Sequence, residues 1–442
     1  EWAANKVVYQ IFPSRFAATE PVDKELWYKA PITPMDDLHG NLRGIIEHMD
    51  DIQNLGIDVL YMTPIFQSNS CHKYDTTDYY KIDPSFGTTE DLKELVQKAH
   101  ERGMKVVLDA VYNHTGREFF AFADILENGE KSKYRDWYFI DGFPLKSEWG
   151  EIPNFKCFGY YGGMPKLNLK NPEVEKYITD VACYWIKECD IDGWRLDVGD
   201  EISHFFWKNF RKAVKAVKKD MLIIGEIWHY AGDFLEGDEW DTVMNYPFYL
   251  NLIDLLADEK ITVSQFVQNL GYLKGRLHKN CYPLMWNLID SHDTARFLHL
   301  CNDNKKKQHL AAAFQLLLPG MPMIYYGDEY AMPGANDPDC RRGMYWDEEY
   351  QDKEMYEWYK RLIQVRKSHA CIVEGELAGS VTEDEEGTVV LIRKNGEETI
   401  AMIFNCSSSA KKFNEYTQKY NLLTENTFDG NVEGFDAAVI VL

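Results

Sequence analysis

Apolar and amphipathic stretches alternate along the chain from residue 7 to about residue 370, the pattern of repeated strand–helix units on a parallel sheet. Eight short apolar runs stand out, at residues 7–12, 59–66, 105–111, 193–198, 222–228, 242–246, 284–290 and 323–326. Eight is the number at which such a sheet closes into a (β/α)8 TIM barrel. The segments between them carry helical periodicity. Across residues 89–100, Leu92, Leu95, Val96 and Ala99 share one face, with Thr89 as the expected N-cap. Pro172 after Asn171 opens another helix, whose buried stripe is Val174, Ile178, Val181, Ala182, Trp185 and Ile186.

One interval breaks the rhythm. Residues 115–170 hold Phe119, Phe120, Trp137, Tyr138, Trp149, Phe155, Tyr160 and Tyr161 but no strand–helix unit; a loop of that length is a small inserted domain or a lid. Past residue 371 the period becomes that of short strands, at 388–393, 399–404 and 437–442, with an Asn395-Gly396 turn between the first two. This predicts a C-terminal antiparallel β domain. The expected division is therefore 1–114 and 171–371 for the two parts of the barrel, 115–170 for the insert and 372–442 for the β domain.

Composition narrows the function. With 442 residues, 45% of them hydrophobic, the chain can bury one large core and a smaller one. Lys+Arg 48 against Asp+Glu 71 leaves a net charge of −23, a field that repels phosphate backbones and anionic lipid. Nucleic acid and membranes are thus not expected partners. A neutral sugar is indifferent to that field, and 12 Trp and 27 Tyr supply faces on which pyranose rings can stack. Nine Cys without a Cys-x-x-Cys pair read as reduced thiols of a cytoplasmic protein. No stretch approaches the roughly eighteen apolar residues of a membrane span, and Glu1-Trp-Ala-Ala-Asn is no secretory leader. The start without Met leaves room for a trimmed leader.

Four polar segments follow apolar runs: Asp109-Ala-Val-Tyr-Asn-His114, Gly193-Trp-Arg-Leu-Asp197, Gly225-Glu226-Ile-Trp228 and Asp290-Ser-His-Asp293. They fall at strand ends, where barrel enzymes keep their chemistry. Grouping acids and histidines there costs several kcal/mol unless they are paired or used. Arg195, two residues before Asp197, points to the same side of its strand and can keep that carboxylate ionised. A purely structural Arg–Asp pair is the alternative.

In order and spacing the four segments resemble the conserved regions of the α-amylase superfamily of retaining glycosidases, over the barrel, the insert and the β tail. The resemblance implies Asp197 as nucleophile, Glu226 as general acid/base and Asp293 as the third acid, gripping ring hydroxyls. It implies that His114 and His292 donate hydrogen bonds to the same sugar, that Tyr74 stacks beneath it beside Asp75, and that Asn113 stands where secreted α-amylases often place a calcium ligand.

Three more segments, Met164-Pro-Lys-Leu-Asn168, Asp197-Val-Gly-Asp-Glu-Ile-Ser-His204 and Asp337-Pro-Asp-Cys-Arg-Arg342, are similar to the neopullulanase, cyclomaltodextrinase and maltogenic amylase group. In that group Asp337 and Arg341 would contact sugars on the non-reducing side, and Glu201 and Trp228 would line the acceptor side. Two departures follow. The group usually carries an N-terminal β domain that builds a dimer, whereas this chain enters its first strand at Val7, so a monomer that admits starch is expected. Its calcium loop after the first strand is rich in Asn and Asp, whereas here it reads Pro13-Ser-Arg-Phe-Ala-Ala-Thr-Glu-Pro21, with too few hard oxygen ligands. No residue is assigned to a metal or cofactor; a structural calcium lacks support in the sequence. The expected activity is hydrolysis of α-1,4 bonds of maltooligosaccharides, starch, cyclodextrins or pullulan, with some transglycosylation. Alternatives are a dedicated glucanotransferase or isomerase on the same site, and a catalytically retired glycan-binding protein.

Overall fold

The computed structural model describes residues 2–147 and 150–442; Trp149, one of the insert's aromatic residues, lies outside them. Eight parallel strands form the barrel: β1 Val8–Ile11, β2 Val59–Met62, β3 Lys105–Ala110, β4 Gly193–Leu196, β5 Leu222–Gly225, β6 Thr242–Val243, β7 Trp286–Asn287 and β8 Met321–Tyr325. Strands β1 to β6 pair in sequence order, and β1 also pairs with β8, which pairs with β7. A parallel bridge between Met244 and Trp286 closes the ring. Each of the eight apolar runs supplies one strand. Two strands are cut to two residues by their neighbours: the Asn245 side chain caps helix Tyr246–Leu252 directly after β6, and the Pro283 turn delays β7.

Strand periodicity sorts the side chains. Val8, Val59, Val107, Leu222, Ile224 and Met323 fill the barrel interior, while Tyr9, Leu60, Val106, Leu108 and Ile223 face the helix layer. By the same period of two, Gln10, Tyr61, Asp109, Arg195 and Glu226 also point inward, one step nearer the C-terminal rim. A buried apolar plug thus carries a polar cap.

Helix Thr89–Glu101 buries the expected Leu92, Leu95, Val96 and Ala99, but its N-cap is Thr88 rather than Thr89. Thr88 accepts from the Asp91 N–H while the Asp91 carboxylate accepts from the Thr88 N–H, a reciprocal capping box that Thr89 cannot form. Helix Pro172–Cys189 is capped by the Asn171 side chain and buries the predicted stripe.

After β3 the insert folds over helix Phe120–Asn128 and packs Phe122 against Tyr138 and Phe155. The C-terminal sheet is antiparallel through β9 Glu376–Glu383, β10 Thr388–Asn395, β11 Glu398–Asn405 and β12 Asp436–Val441. It docks on the barrel helix Lys305–Leu317, where Phe404 stacks on Phe314 at 4.2 Å.

Candidate active site

The cleft lies at the C-terminal rim and encloses about 320 Å³, a volume suited to a small organic ligand. Its walls include Tyr74, His114, Asp197, Glu226, Trp228 and Asp293, closed on one side by Asp337 and Arg341.

Arg195 organises the floor. Its Nη1 lies 3.0 Å from both Asp109 carboxylate oxygens and 3.1 Å from Asp197 Oδ1, and its Nη2 lies 2.9 Å from Glu226 Oε2. The side chain is wholly buried, so one cation serves three carboxyl groups in a poorly screened medium. Asp197 Oδ2 has no hydrogen-bond partner among the described residues, which leaves that oxygen free for chemistry. Burial first, then the Glu226 charge, pushes the Asp197 carboxyl well above the usual carboxylate range, and Arg195 pulls it back. Burial likewise pushes Asp109 up to about 6, against Arg195 and two phenols.

Local backbone sets these positions. Val198, directly after Asp197, is held at φ +46°, a conformation unfavourable for a β-branched residue. It aims the Val198 N–H at Glu226 Oε2, 2.9 Å away. Trp228 Nε1 donates to Glu226 Oε1 at 3.2 Å, and the Trp228 ring stacks on Tyr246 at 3.8 Å. A Cβ at Gly225 would stand 2.2 Å from the Trp240 ring, so the residue before Glu226 has to be glycine for β5 to lie against that indole.

The second half of the site is a relay. Tyr74 and Tyr61 hydroxyls donate to Asp109 Oδ2, at 2.9 and 2.7 Å. His292 Nδ1 accepts from the Gln10 amide at 2.7 Å, which puts its proton on Nε2, within 2.7 Å of the Tyr74 oxygen and 3.2 Å of Asp293 Oδ2. Burial and the Arg341 charge hold His292 neutral, well below the usual imidazole range. Arg341 ties the far wall together, pairing with Asp337 at 2.8 Å and with Asp293 at 3.4 Å.

Some sequence expectations need correction. Asp75 is not among the cleft-lining residues; its Oδ1 accepts from the Ser68 and Ser70 hydroxyls and holds the loop after β2. Glu201 is not among the cleft-lining residues; its side chain is half exposed and lies 3.4 Å from Asn113 and 3.9 Å from Lys166. His292 and Arg195 lie beneath the cleft, fully buried, and reach it through Tyr74 and the carboxylates. His114 lines the cleft, yet its Nε2 is spent on the Tyr74 carbonyl at 2.9 Å. Burial lowers its pKa to about 4. Sequence reasoning gave no role to Asp109, Tyr61, Gln10, Val198 or Phe158. The inward parity of Asp109 with Val107 was the available signal; the rest depend on loop paths.

Asn113, the residue that resemblance ties to calcium, offers its Oδ1 to the Lys166 ammonium, so that oxygen already serves a cation of the chain itself. With that ammonium in place, the site does not fit a resident divalent ion. The loop after β1 opens with a short buried turn, Pro13–Phe16, and its one acid up to Pro21 is the exposed Glu20.

An eightfold parallel barrel with an acid-lined rim, an insert after β3 and a C-terminal sheet defines a barrel enzyme of the glycoside hydrolase class. The chain belongs to the alpha-amylase family: the description "Alpha amylase, catalytic domain" matches residues 10–375. It is 47% identical over 414 residues to a cyclomaltodextrinase of Geobacillus thermopakistaniensis (strain MAS1), covering 93% of this chain and 70% of that one. An intracellular maltogenic amylase of Bacillus subtilis is 42% identical over 410 residues, covering 92% and 69%. Among solved structures, the cyclic α-maltosyl-(1→6)-maltose hydrolase of Arthrobacter globiformis, in complex with that sugar, superposes with a TM-score of 0.91 at 35% identity, covering 100% of this chain and 99% of that one.

Proposed function

We propose that the protein is a retaining α-glucan hydrolase acting on α-1,4 bonds of maltooligosaccharides, starch, cyclodextrins or pullulan, with some transfer to sugar acceptors. The observation that carries this reading is one buried guanidinium joining Asp197 and Glu226 while Asp197 Oδ2 is left without a hydrogen-bond partner among the described residues. Asp197 Oδ2 attacks the anomeric carbon as the glycosidic C–O bond breaks, and Glu226 gives its proton to the leaving oxygen. Glu226 then takes a proton from water, whose oxygen displaces Asp197 and restores the α configuration. Asp293, steered by Arg341 and His292, holds ring hydroxyls as charge develops on the sugar. Tyr74 and Trp228 provide the stacking faces, and Asp337 the rim contact on the non-reducing side.

The reaction as written needs neither a redox nor an organic cofactor, and it routes no step through a metal. We place the protein in the cytoplasm, on nine cysteines that remain free thiols and on an intracellular relative. Among the described residues no helix is long and apolar enough to cross a membrane. The deciding experiment is an NMR time course on maltotriose, pullulan, β-cyclodextrin, soluble starch and cyclic α-maltosyl-(1→6)-maltose. Appearance of the α anomer first supports the reading; β product first overturns it. Sugar-to-sugar transfer without free hydrolysis product marks a dedicated transferase, and no turnover of any of them marks a binding protein.

A further inference from the structure

Lys166 is a cation that the proposed chemistry does not use. It sits in the insert, on the Met164-Pro-Lys-Leu-Asn168 segment, and its side chain is one-fifth exposed. Its ammonium donates to Asn113 Oδ1, on the loop after β3, and to the Glu201 main-chain oxygen at 2.9 Å, on the loop after β4; the Glu201 carboxylate stands 3.9 Å away. Asn113 Nδ2 in turn faces that carboxylate at 3.4 Å. The main chain is stitched at the same point, with Lys166 bridged to His114 and the Leu167 N–H donating to the Asn113 oxygen at 3.0 Å. One positive charge therefore joins three segments that are far apart in sequence, inside a cage of an amide oxygen, a carbonyl oxygen and a carboxylate. Those are the ligand types a hard divalent cation selects.

The clamp lies one short step from the chemistry. Asn113 precedes His114, which lines the cleft, and Glu201 closes the turn that begins at Val198, whose N–H holds Glu226. We propose that Lys166 is a positioning residue that does the work of a structural metal ion, its ammonium filling an oxygen cage that fixes the insert and the Val198–Glu201 turn over the acid/base. Because the cage itself is intact, replacing the ammonium by a carboxylate should convert it into a calcium site, with Asn113 Oδ1, the Glu201 carbonyl and two carboxylates as ligands.

The test compares Lys166→Arg, Lys166→Met and Lys166→Asp with the unaltered protein, each with EDTA and with calcium chloride. The unaltered protein should keep its thermal midpoint and its kcat/KM on maltotriose under both conditions. Lys166→Met should lose about tenfold or more in kcat/KM and regain nothing with calcium, while Lys166→Arg keeps most activity. Lys166→Asp should bind one calcium ion by isothermal titration, and its thermal midpoint and activity should rise together on binding. Full activity in Lys166→Met, or a folded Lys166→Asp that binds no calcium, overturns the proposal. So does a fall in the thermal midpoint of the unaltered protein with EDTA that calcium restores. The calcium titration and the thermal midpoint do not depend on which glucan is cleaved, so they separate this proposal from the substrate assignment.

Discussion

Two carboxyl groups held by one guanidinium divide their labour only if each can change its bonding during the reaction, and the unpartnered Asp197 Oδ2 and the rim-facing Glu226 meet that condition. Asp197→Asn or Glu226→Gln should lower kcat about a thousandfold or more with the fold intact; a folded variant that kept a tenth of the activity would refute the assignment. Asp109 makes a sharper case, because it touches Arg195 and two tyrosines but lies below the cleft. Its carboxyl, pushed up to about 6 in the fold, retains a proton that the unfolded chain releases near pH 4. Its stabilising contribution is thus complete below about pH 4 and is lost as pH rises through about 6. Asp109→Asn removes that loss, so the variant's melting temperature should gain on the parent's between about pH 4 and pH 7. Removing the Asp109 charge also relieves one of the influences that raise Asp197, which moves the acid limb of kcat/KM to lower pH. A difference in melting temperature that stays flat with pH, or an acid limb that stays put, would show that Asp109 has an ordinary carboxyl. Period-two parity aims Asp109 inward with Val107, so its direction could be read from the chain although its role could not. The burial of His292 could not be read, since it depends on Gln10 of β1 and Tyr74 of the loop after β2, both remote in sequence.

At the scale of elements, what the sequence made legible tracks how local the physics is. Parallel strands buried on both faces are short, continuous apolar runs, so all eight could be found from hydropathy alone. Their lengths could not: the runs 242–246 and 284–290 extend beyond the paired residues, and the Asn245 cap and the Pro283 turn flank β6 and β7, which are two residues each. The insert was visible as a broken rhythm, but its attachment through the Lys166 ammonium depends on a carbonyl and an amide 35 and 53 residues distant. Caps are the intermediate case. Thr88 and Thr89 are chemically identical neighbours, and the position of Asp91 decides between them, because a box needs the acid three residues after the cap. Thr88→Ala should therefore cost about 1 kcal/mol in denaturant unfolding while Thr89→Ala costs a small fraction of that. Equal losses would show that the box contributes nothing.

For the molecule as a whole, five segments remote in sequence converge on the cleft. Tyr74 belongs to the loop after β2, His114 to that after β3, Phe158 to the insert, Trp228 to the loop after β5, and Arg341 to the segment after β8. The floor is assembled in the same way, since the partners of Arg195 lie on β3, after β4 and after β5. Nothing in this arrangement needs a second copy to complete the acids or their cation, and a net charge of −23 makes like copies repel at low salt. The specific activity on maltotriose should consequently be independent of protein concentration, and light scattering at low ionic strength should give the mass of one chain. Raising salt screens the repulsion within about a Debye length, so any association that charge alone prevents would emerge there. Activity that falls on dilution, in step with a dimer dissociating by light scattering, would contradict the self-contained site and would place an unrecognised wall of the cleft on the partner copy. The same preparation settles polymer access through the ratio of kcat/KM on soluble starch to that on β-cyclodextrin. A monomer that cleaves both identifies a cleft open to chains. A monomer that accepts the ring and refuses the polymer would locate the restriction in the insert, whose exposed Tyr160 and Tyr161 lie one glycine beyond Phe158 of the cleft wall.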